Sequence, residues 1–190
     1  MGWLGAEALA AHQIALSIAA GTYMLASGIA AASTVRIGNQ MGLKDYQTMK
    51  EVGYTSFNLS IIIMTIAGIG FILFNNWLPS LFIEDKAVVS MAADLLIIAA
   101  LFQISDGIQS VGLGIQRGLE DTKTPTIITL TAYWVIALPL AYFLGFMLDM
   151  GIKGVWYGLA FGLSFAAIGL FTRFYLISNK IIKTQNNGST

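Results

Sequence analysis

The chain has 190 residues, of which 56% are hydrophobic and only 11% are charged, with a mean hydropathy of +0.74. Because a soluble domain carries about 25% charged residues, this composition indicates a protein that uses lipid as part of its solvent. Ten basic and ten acidic residues balance, which gives no support for nucleic-acid binding. The sequence has no cysteine and a single histidine, which excludes disulfides and argues against a zinc enzyme.

Five segments are long and apolar enough to cross a bilayer, which takes about 20 residues. We predict that all five are helices, because an open backbone in lipid would leave its polar groups unsatisfied. The fold class is therefore all-α, a polytopic helical membrane bundle over residues 1–178 with a polar C-terminal tail over 179–190. The predicted spans are 7–33, 53–74, 87–113, 125–148 and 154–177.

The connections between the spans are short and polar. Residues 42–52 read as an amphipathic segment lying along the membrane interface. Thr124 is expected to cap the fourth span, with Pro125 in its first turn. Pro139 removes a backbone hydrogen bond in mid-span, which predicts either a static kink or a bend used in a conformational change.

The basic residues predict the orientation of the bundle. Of the ten basic residues, eight lie on one side of the predicted bundle, and only Lys86 and Lys153 lie on the other. Because positive residues prefer the cytoplasm, the C-terminus is predicted inside and the N-terminus outside. An outside N-terminus without a basic leader segment suggests a preceding helix, although short uncharged N-termini also translocate unaided. Eight basic residues lie on the predicted inner side: Arg36, Lys44, Lys50, Arg117, Lys123, Arg173, Lys180 and Lys183.

Small and polar residues define two further helix faces. Gly154, Gly158, Gly162 and Ala166 recur at four-residue steps, which predicts a close packing face on the fifth span. On the first span, one small and weakly polar face is expected to look inward, either at packed neighbours or at a substrate path. Its members are Gln13, Ser17, Ala20, Met24 and Ser27. His12 lies beside this face, as a structural residue or as a proton carrier.

Asp106 is a carboxylate inside the third span with no basic residue nearby in sequence. Gln103 and Ser110 share its helix face, and Gln109 lies on the flank. Placing an ionised carboxylate in mid-bilayer costs about 2.5–3.5 kcal/mol on insertion scales. Asp106 must therefore be protonated, cation-bound, hydrated or paired with another helix, and the first three states fit ion-coupled transport. A solvated residue near the inner end is the alternative, while Asp94 lies nearer the outer boundary and is expected to contact solvent.

Five motifs carry a resemblance to a known family: LAAHQIAL, RIGNQMG, FQISDGIQSVGLGIQRGLEDTKTP, YWVIALPLAYFLGF and GIKGVWYGLAFGL. In this order, over about residues 4–177, they resemble the second lobe of MATE (multidrug and toxic compound extrusion) transporters, closest to the NorM-type bacterial branch. The sequence departs from the family pattern at Gln116, where leucine is common, and at Ala137, where glycine is common.

The resemblance implies a fold of twelve helices in two lobes, of which this chain matches helices eight to twelve. It implies a multi-pass protein of the bacterial inner membrane that exports cationic or aromatic compounds in exchange for Na⁺ or H⁺ by alternating access. It assigns Asp106 to the cation site, where Gln103 and Gln109 are further candidates, with no metal beyond a possible Na⁺ and no other cofactor. The expected partners are the bilayer, small-molecule drugs, and the first lobe and seventh helix of the same transporter, which supplies a partner glutamate.

Candidate residues for the substrate path are Gln13, Ser17, Met24, Tyr133 and Trp134, with Tyr142 as a further aromatic. Two alternatives to an antiporter stay open: a flippase for lipid-linked oligosaccharides, and a non-transporting membrane module that pairs with a separate lobe. An enzyme is the weakest reading, because the sequence shows no nucleophile–base pair and no metal-ligand set.

Overall fold

The computed structural model describes residues 5–188, with side chains through residue 185. It contains five long helices, each with a stretch apolar enough to cross a membrane, and no strand within the described residues. The all-α prediction with five spans is confirmed. The helices are α1 (Ala6–Gly42), α2 (Tyr46–Leu73), the short α3 (Trp77–Ser80), α4 (Lys86–Gly118), α5 (Lys123–Met147) and α6 (Gly151–Gly188).

The predicted interfacial segment over residues 42–52 is wrong. Helix α1 runs on to Gly42, and α2 begins at Tyr46 after a tight turn. The Asp45 side chain caps α2 by accepting a hydrogen bond from the backbone N–H of Thr48 at 3.1 Å. Met49 and Val52 are buried in a cluster at this end of the bundle, so the apolar face of this segment packs against protein instead of lipid headgroups.

Two other helix ends differ from the sequence prediction. Asp121, and not Thr124, provides the side-chain oxygen at the start of α5, where it accepts from the Thr124 N–H at 3.4 Å. Thr124 itself lies within the helix, while Pro125 occupies the first turn as predicted and is buried. Helix α6 continues to Gly188, well beyond the predicted end of the span at 177.

Asp121 also links the start of α5 to α6. Its carboxylate accepts a hydrogen bond from Nε of Arg173 at 2.8 Å. Burial acts to raise the pKa of Asp121, but the hydrogen bonds from Arg173 and Thr124, together with the guanidinium charge, outweigh burial and lower that pKa. The pair is therefore ionised and ties the two helices together at one end of the bundle.

Helix α5 is irregular around Pro139. Residues Leu138–Tyr142 form an α-helical turn, flanked by π-helical turns over Thr131–Ala137 and Phe143–Met147. Proline has no N–H to give to the helix ladder, and π turns are a common way for a helix to absorb such a break. The break in the helix that Pro139 was predicted to cause is therefore seen as π-helical turns on both sides of the proline.

Helix α4 is the centre of the bundle, with α1, α2 and α6 packed around it. Toward one end, alanines of α1 contact Leu95 and Leu96 of α4. Toward the other, Val111 and Ile115 of α4 pack in a cluster with Phe174 of α6. Helix α4 is buried on several sides, whereas α1, α2 and α6 each leave much of their surface exposed.

The predicted small-residue face of α6 is confirmed. A Cβ atom at Gly154 would lie 2.5 Å from the carbonyl oxygen of Leu144, and one at Gly158 would collide with the backbone of Ala141. Ala166 is fully buried in the same row. Close approach of α6 to α5 therefore requires the absence of side chains at these positions.

We expect Gly158→Ala to destabilise the protein by about 1–3 kcal/mol, because the new methyl group overpacks the α5–α6 contact. The control is Gly21→Ala, since a Cβ at Gly21 meets nothing within 4 Å. That change should be neutral or stabilising by about 0.5–1 kcal/mol through helix propensity. Unfolding in mixed micelles, followed by circular dichroism, measures both; equal stability of the two variants would contradict the packing assignment.

Candidate functional site

A cavity of about 350 Å³ lies between α1, α4, α5 and α6. Asp106 is on its wall and is the one carboxylate among the described lining residues. Most of the lining is apolar or aromatic: Leu16, Ala19, Ala20, Tyr23, Phe102, Tyr133, Trp156, Leu159 and Leu163. A volume of this size is within the range of small-molecule sites, about 300–1,000 Å³.

Asp106 has no ion pair and no side-chain hydrogen bond to any residue that the structure describes. It is partly buried, so it is neither freely solvated nor enclosed. The sequence allowed Asp106 to be protonated, cation-bound, hydrated or paired with another helix. The described chain shows no such pairing. No basic side chain of the described chain neutralises this carboxylate.

Gln109 and Tyr133 meet across the α4–α5 contact. The Tyr133 hydroxyl donates a hydrogen bond of 2.9 Å to Oε1 of Gln109, and Gln109 is buried. The structure thus joins a residue predicted for the cation site to one predicted for the substrate path. This bond connects the Asp106 wall of the cavity to the π-helical part of α5.

Gln103 lies outside the set of residues that line the cavity, although it shares a helix with Asp106. It is fully buried, and its side-chain nitrogen donates to Oγ1 of Thr22 on α1. Its carbonyl oxygen has no hydrogen-bond partner within the described chain. In this conformation, Gln103 joins α4 to α1 and does not face Asp106's cavity.

The polar face of α1 is largely exposed and does not pack among the described helices, but its member Ala20 lines the cavity. Of the two alternatives given for this face, the substrate path stays a prediction. Gln13 and Ser17 are exposed, and the Ser17 hydroxyl donates to the Gln13 carbonyl at 2.8 Å. Met24 is 72% exposed, and Trp134 of α5 is 67% exposed. Helix α1 instead buries its alanine stripe, which fits more closely against α4: Ala8, Ala11, Ala15, Ala26 and Ala30.

Trp156 is a wall of the cavity that the sequence analysis did not predict. It is buried, and its ring packs against Phe102 with a centroid distance of 5.9 Å. Its Nε1–H donates a hydrogen bond of 3.2 Å to Nδ1 of His12. His12 therefore has a structural partner, and the bond requires Nδ1 to be the unprotonated ring nitrogen. Tyr23 was missed as well; a clustering of aromatics near Asp106 is visible only once the helices are assembled.

Asp94 differs from Asp106 in its surroundings. It forms an ion pair with Lys153 of α6, with 2.6 Å between Oδ2 and Nζ, and both side chains are about half exposed. Solvent contact of Asp94 stays a prediction, which this exposure supports. The two carboxylates of α4 thus provide a natural comparison, one paired at the surface and one unpaired at the cavity.

We expect His12→Leu to release the Trp156 ring from its position over the cavity, while His12→Gln retains an acceptor oxygen and keeps it. Loss of the bond should cost about 0.5–1.5 kcal/mol of stability. The readout is the emission maximum of Trp156, obtained as the difference between each variant and the same variant with Trp156→Phe. Identical difference spectra for the leucine and glutamine variants would show that His12 does not hold the ring.

Tyr133→Phe should destabilise the bundle by about 1–3 kcal/mol, because it leaves the buried Gln109 oxygen without its donor. Tyr142→Phe is the matched control, since Tyr142 is 56% exposed on the same helix, and we expect it to change stability by less than about 0.5 kcal/mol. Detergent unfolding curves compare the two. A Tyr133→Phe variant as stable as the control would argue against the α4–α5 link.

The sequence is similar to those of known membrane proteins. The MatE family model matches residues 1–143, which is most of the chain. The multidrug resistance protein NorM of Burkholderia vietnamiensis is 40% identical over 187 residues, covering 96% of this chain and 40% of that protein. A probable multidrug resistance protein NorM of Bacillus thuringiensis is 38% identical over 181 residues, 95% of this chain and 40% of that protein.

Solved structures agree at the level of the fold. The crystal structure of the eukaryotic MATE transporter AtDTX14 superposes with a TM-score of 0.85 at 20% identity, over 94% of this chain and 41% of that one. The chain thus spans about 40% of the length of the relatives it matches. The bacterial relatives and the five membrane-length helices make it a multi-pass protein of the bacterial inner membrane. On this agreement of sequence and fold, the chain belongs to the MatE family.

Proposed function

We propose that the chain forms part of a multidrug efflux antiporter in which Asp106 receives the coupling cation, Na⁺ or H⁺. The observation that carries the proposal is the unpaired Asp106 carboxylate on the wall of an aromatic cavity. A charge in such surroundings is costly unless something offsets it. A mobile cation can do so at one stage of a cycle and leave at another.

The cavity also suits the proposed cargo. Tyr23, Phe102, Tyr133 and Trp156 give it aromatic surface, which attracts flat apolar compounds and, through cation–π contacts, positively charged ones. A cationic drug and the coupling ion would both be drawn to Asp106. Competition for this one carboxylate gives antiport a simple physical basis, because occupation by one disfavours the other.

Alternating access needs a structural element that responds to the state of Asp106. The Tyr133–Gln109 hydrogen bond joins the cavity wall to α5, whose π turns surround Pro139. We propose that neutralising Asp106 changes the packing of α5 on α4 and so biases the transporter toward one facing state. Exchange by this route requires that the ion and the drug bind the two facing states with different affinities.

The remaining part of the transport path would come from sequence that the relatives have and this chain does not cover. In the proposed assembly the chain corresponds to helices eight to twelve, with its N-terminal end outside. The exposed face of α1, with Gln13, Ser17 and Met24, would then line the path together with a first lobe and a seventh helix. Trp134 is exposed on α5 and would contribute to the same path.

A chimera tests the proposal: this chain replaces the matching part of Burkholderia vietnamiensis NorM in a host without its own efflux pumps. We expect Asp106→Asn to lower ion-driven ethidium efflux to less than about a tenth, because Asp106 is the one charged side chain among the described lining residues and its loss removes the proposed cation site. The matched control is Asp94→Asn, which removes a carboxylate from the same helix at the surface and should keep most of the activity.

Undiminished efflux by the Asp106→Asn chimera at wild-type expression would refute the proposed role of this carboxylate. Equal losses in the Asp94 and Asp106 variants would show that the effect is structural and not specific to the cavity.

A further inference from the structure

A second cavity, of about 770 Å³, opens between the start of α2 and the last turns of α6. It lies at the end of the bundle opposite to the Asp94–Lys153 pair, the end that the distribution of basic residues assigns to the cytoplasm. Three cationic side chains line it, Lys44, Arg173 and Lys180, and no carboxylate is among the described lining residues. It is separate from the Asp106 cavity and shares none of its lining.

Two of the three charges are not neutralised within the described chain. Arg173 is paired through Nε with Asp121. Lys44 and Lys180 have no ion-pair partner among the residues that the structure describes. The nearest carboxylate in sequence, Asp45, accepts from the backbone of Thr48 at the start of α2. The cleft therefore has an excess of positive charge for an anion to satisfy.

The position of Lys44 is fixed by the backbone. It lies in the turn between α1 and α2, where its N–H donates to the Met41 carbonyl at 3.1 Å. Its φ of 58° lies in the left-handed region, a backbone conformation that reverses the chain between α1 and α2. Lys180 lines the same cleft from α6, three residues after Ile177. The two lysines thus reach the cleft from different elements, the α1–α2 turn and α6.

Apolar groups form the floor beneath these charges. Tyr46, Ile177 and Ile181 line the cleft and pack against the buried cluster that contains Phe174. Ile177 and Ile181 are four residues apart, so they form one apolar stripe along α6. A ligand that fits this surface has an anionic head and an apolar body. A free phosphate ion would use the lysines but leave the stripe exposed.

We propose that this cleft binds an anionic phospholipid, with its phosphate between Lys44 and Lys180, its glycerol backbone over the Ile177–Ile181 stripe and its acyl chains leaving past Ile177 toward the bilayer. Basic pockets between membrane helices on the cytoplasmic side recognise such head groups, and each lysine near the surface contributes about a fivefold gain in affinity. The lipid would bridge the α1–α2 turn and α6. This site stands independently of the proposed transport mechanism.

Native mass spectrometry of the full chain in a neutral detergent tests the proposal by titration with phosphatidylglycerol and, separately, phosphatidylcholine. We expect the anionic lipid to be retained preferentially. Lys44→Gln and Lys180→Gln should each weaken its binding by about fivefold, and the double variant by about 25-fold. The matched control is the Lys86→Gln/Lys123→Gln double variant, which loses the same net charge from exposed positions outside the cleft.

The proposal is overturned if the Lys44/Lys180 double variant retains phosphatidylglycerol as the wild type does, or if the control loses it equally. Adding inorganic phosphate or glycerol phosphate as a competitor distinguishes a lipid site from a site for free phosphate. Displacement of the lipid by either one at a comparable concentration would show a free phosphate site and contradict the lipid assignment. Melting curves of each variant without lipid confirm that the folded chain is being compared.

Discussion

An unpaired carboxylate beside an apolar cavity is the constraint on which this account of the molecule depends. Asp106 contacts aromatic and aliphatic surface and has no counter-charge within the described chain. In a bilayer, the free energy of such an arrangement is unfavourable by about 2.5–3.5 kcal/mol or more. Asp94, on the same helix, shows the ordinary alternative of a surface ion pair. This contrast is the basis of the proposal that a cation visits Asp106.

The cavity in turn depends on close helix packing. Glycines at the contacts of α6 with α5, and at the contact of α4 with α1, leave no room for a Cβ atom. These approaches bring Tyr133 within hydrogen-bonding distance of Gln109 and Trp156 within reach of His12. Because lipid gives no hydrophobic drive for helices to associate, small residues and interhelical hydrogen bonds have to hold the walls in place.

The sequence predicted the elements that lipid itself dictates. Span number, helical class and the glycine face of α6 follow from hydropathy and four-residue spacing, and the structure confirms them. The helix ends were predicted less well, because residues 42–52 are amphipathic in composition whether their apolar face meets lipid or Phe174. Thr124 was a reasonable cap on sequence, but Asp121 lies one turn earlier and takes that position.

The site was predicted only in part, for a related reason. Asp106 stands out by its charge, and Tyr133 by its aromatic ring, yet the partners of Gln103 and Trp156 come from helices far away in sequence. Helical periodicity gives the face of a residue but not the neighbour that the face meets. The polar face of α1 illustrates the limit, since alanines on the other side fit α4 more closely.

Infrared difference spectroscopy of the reconstituted chain, recorded with and without Na⁺ and across a pH step, tests the central claim most directly. If a cation or proton reaches Asp106, the carboxyl bands of the wild-type protein change, and this change is absent from Asp106→Asn and retained in Asp94→Asn. A wild-type difference spectrum that Asp106→Asn reproduces would show that no cation or proton reaches this carboxylate, and would contradict the account.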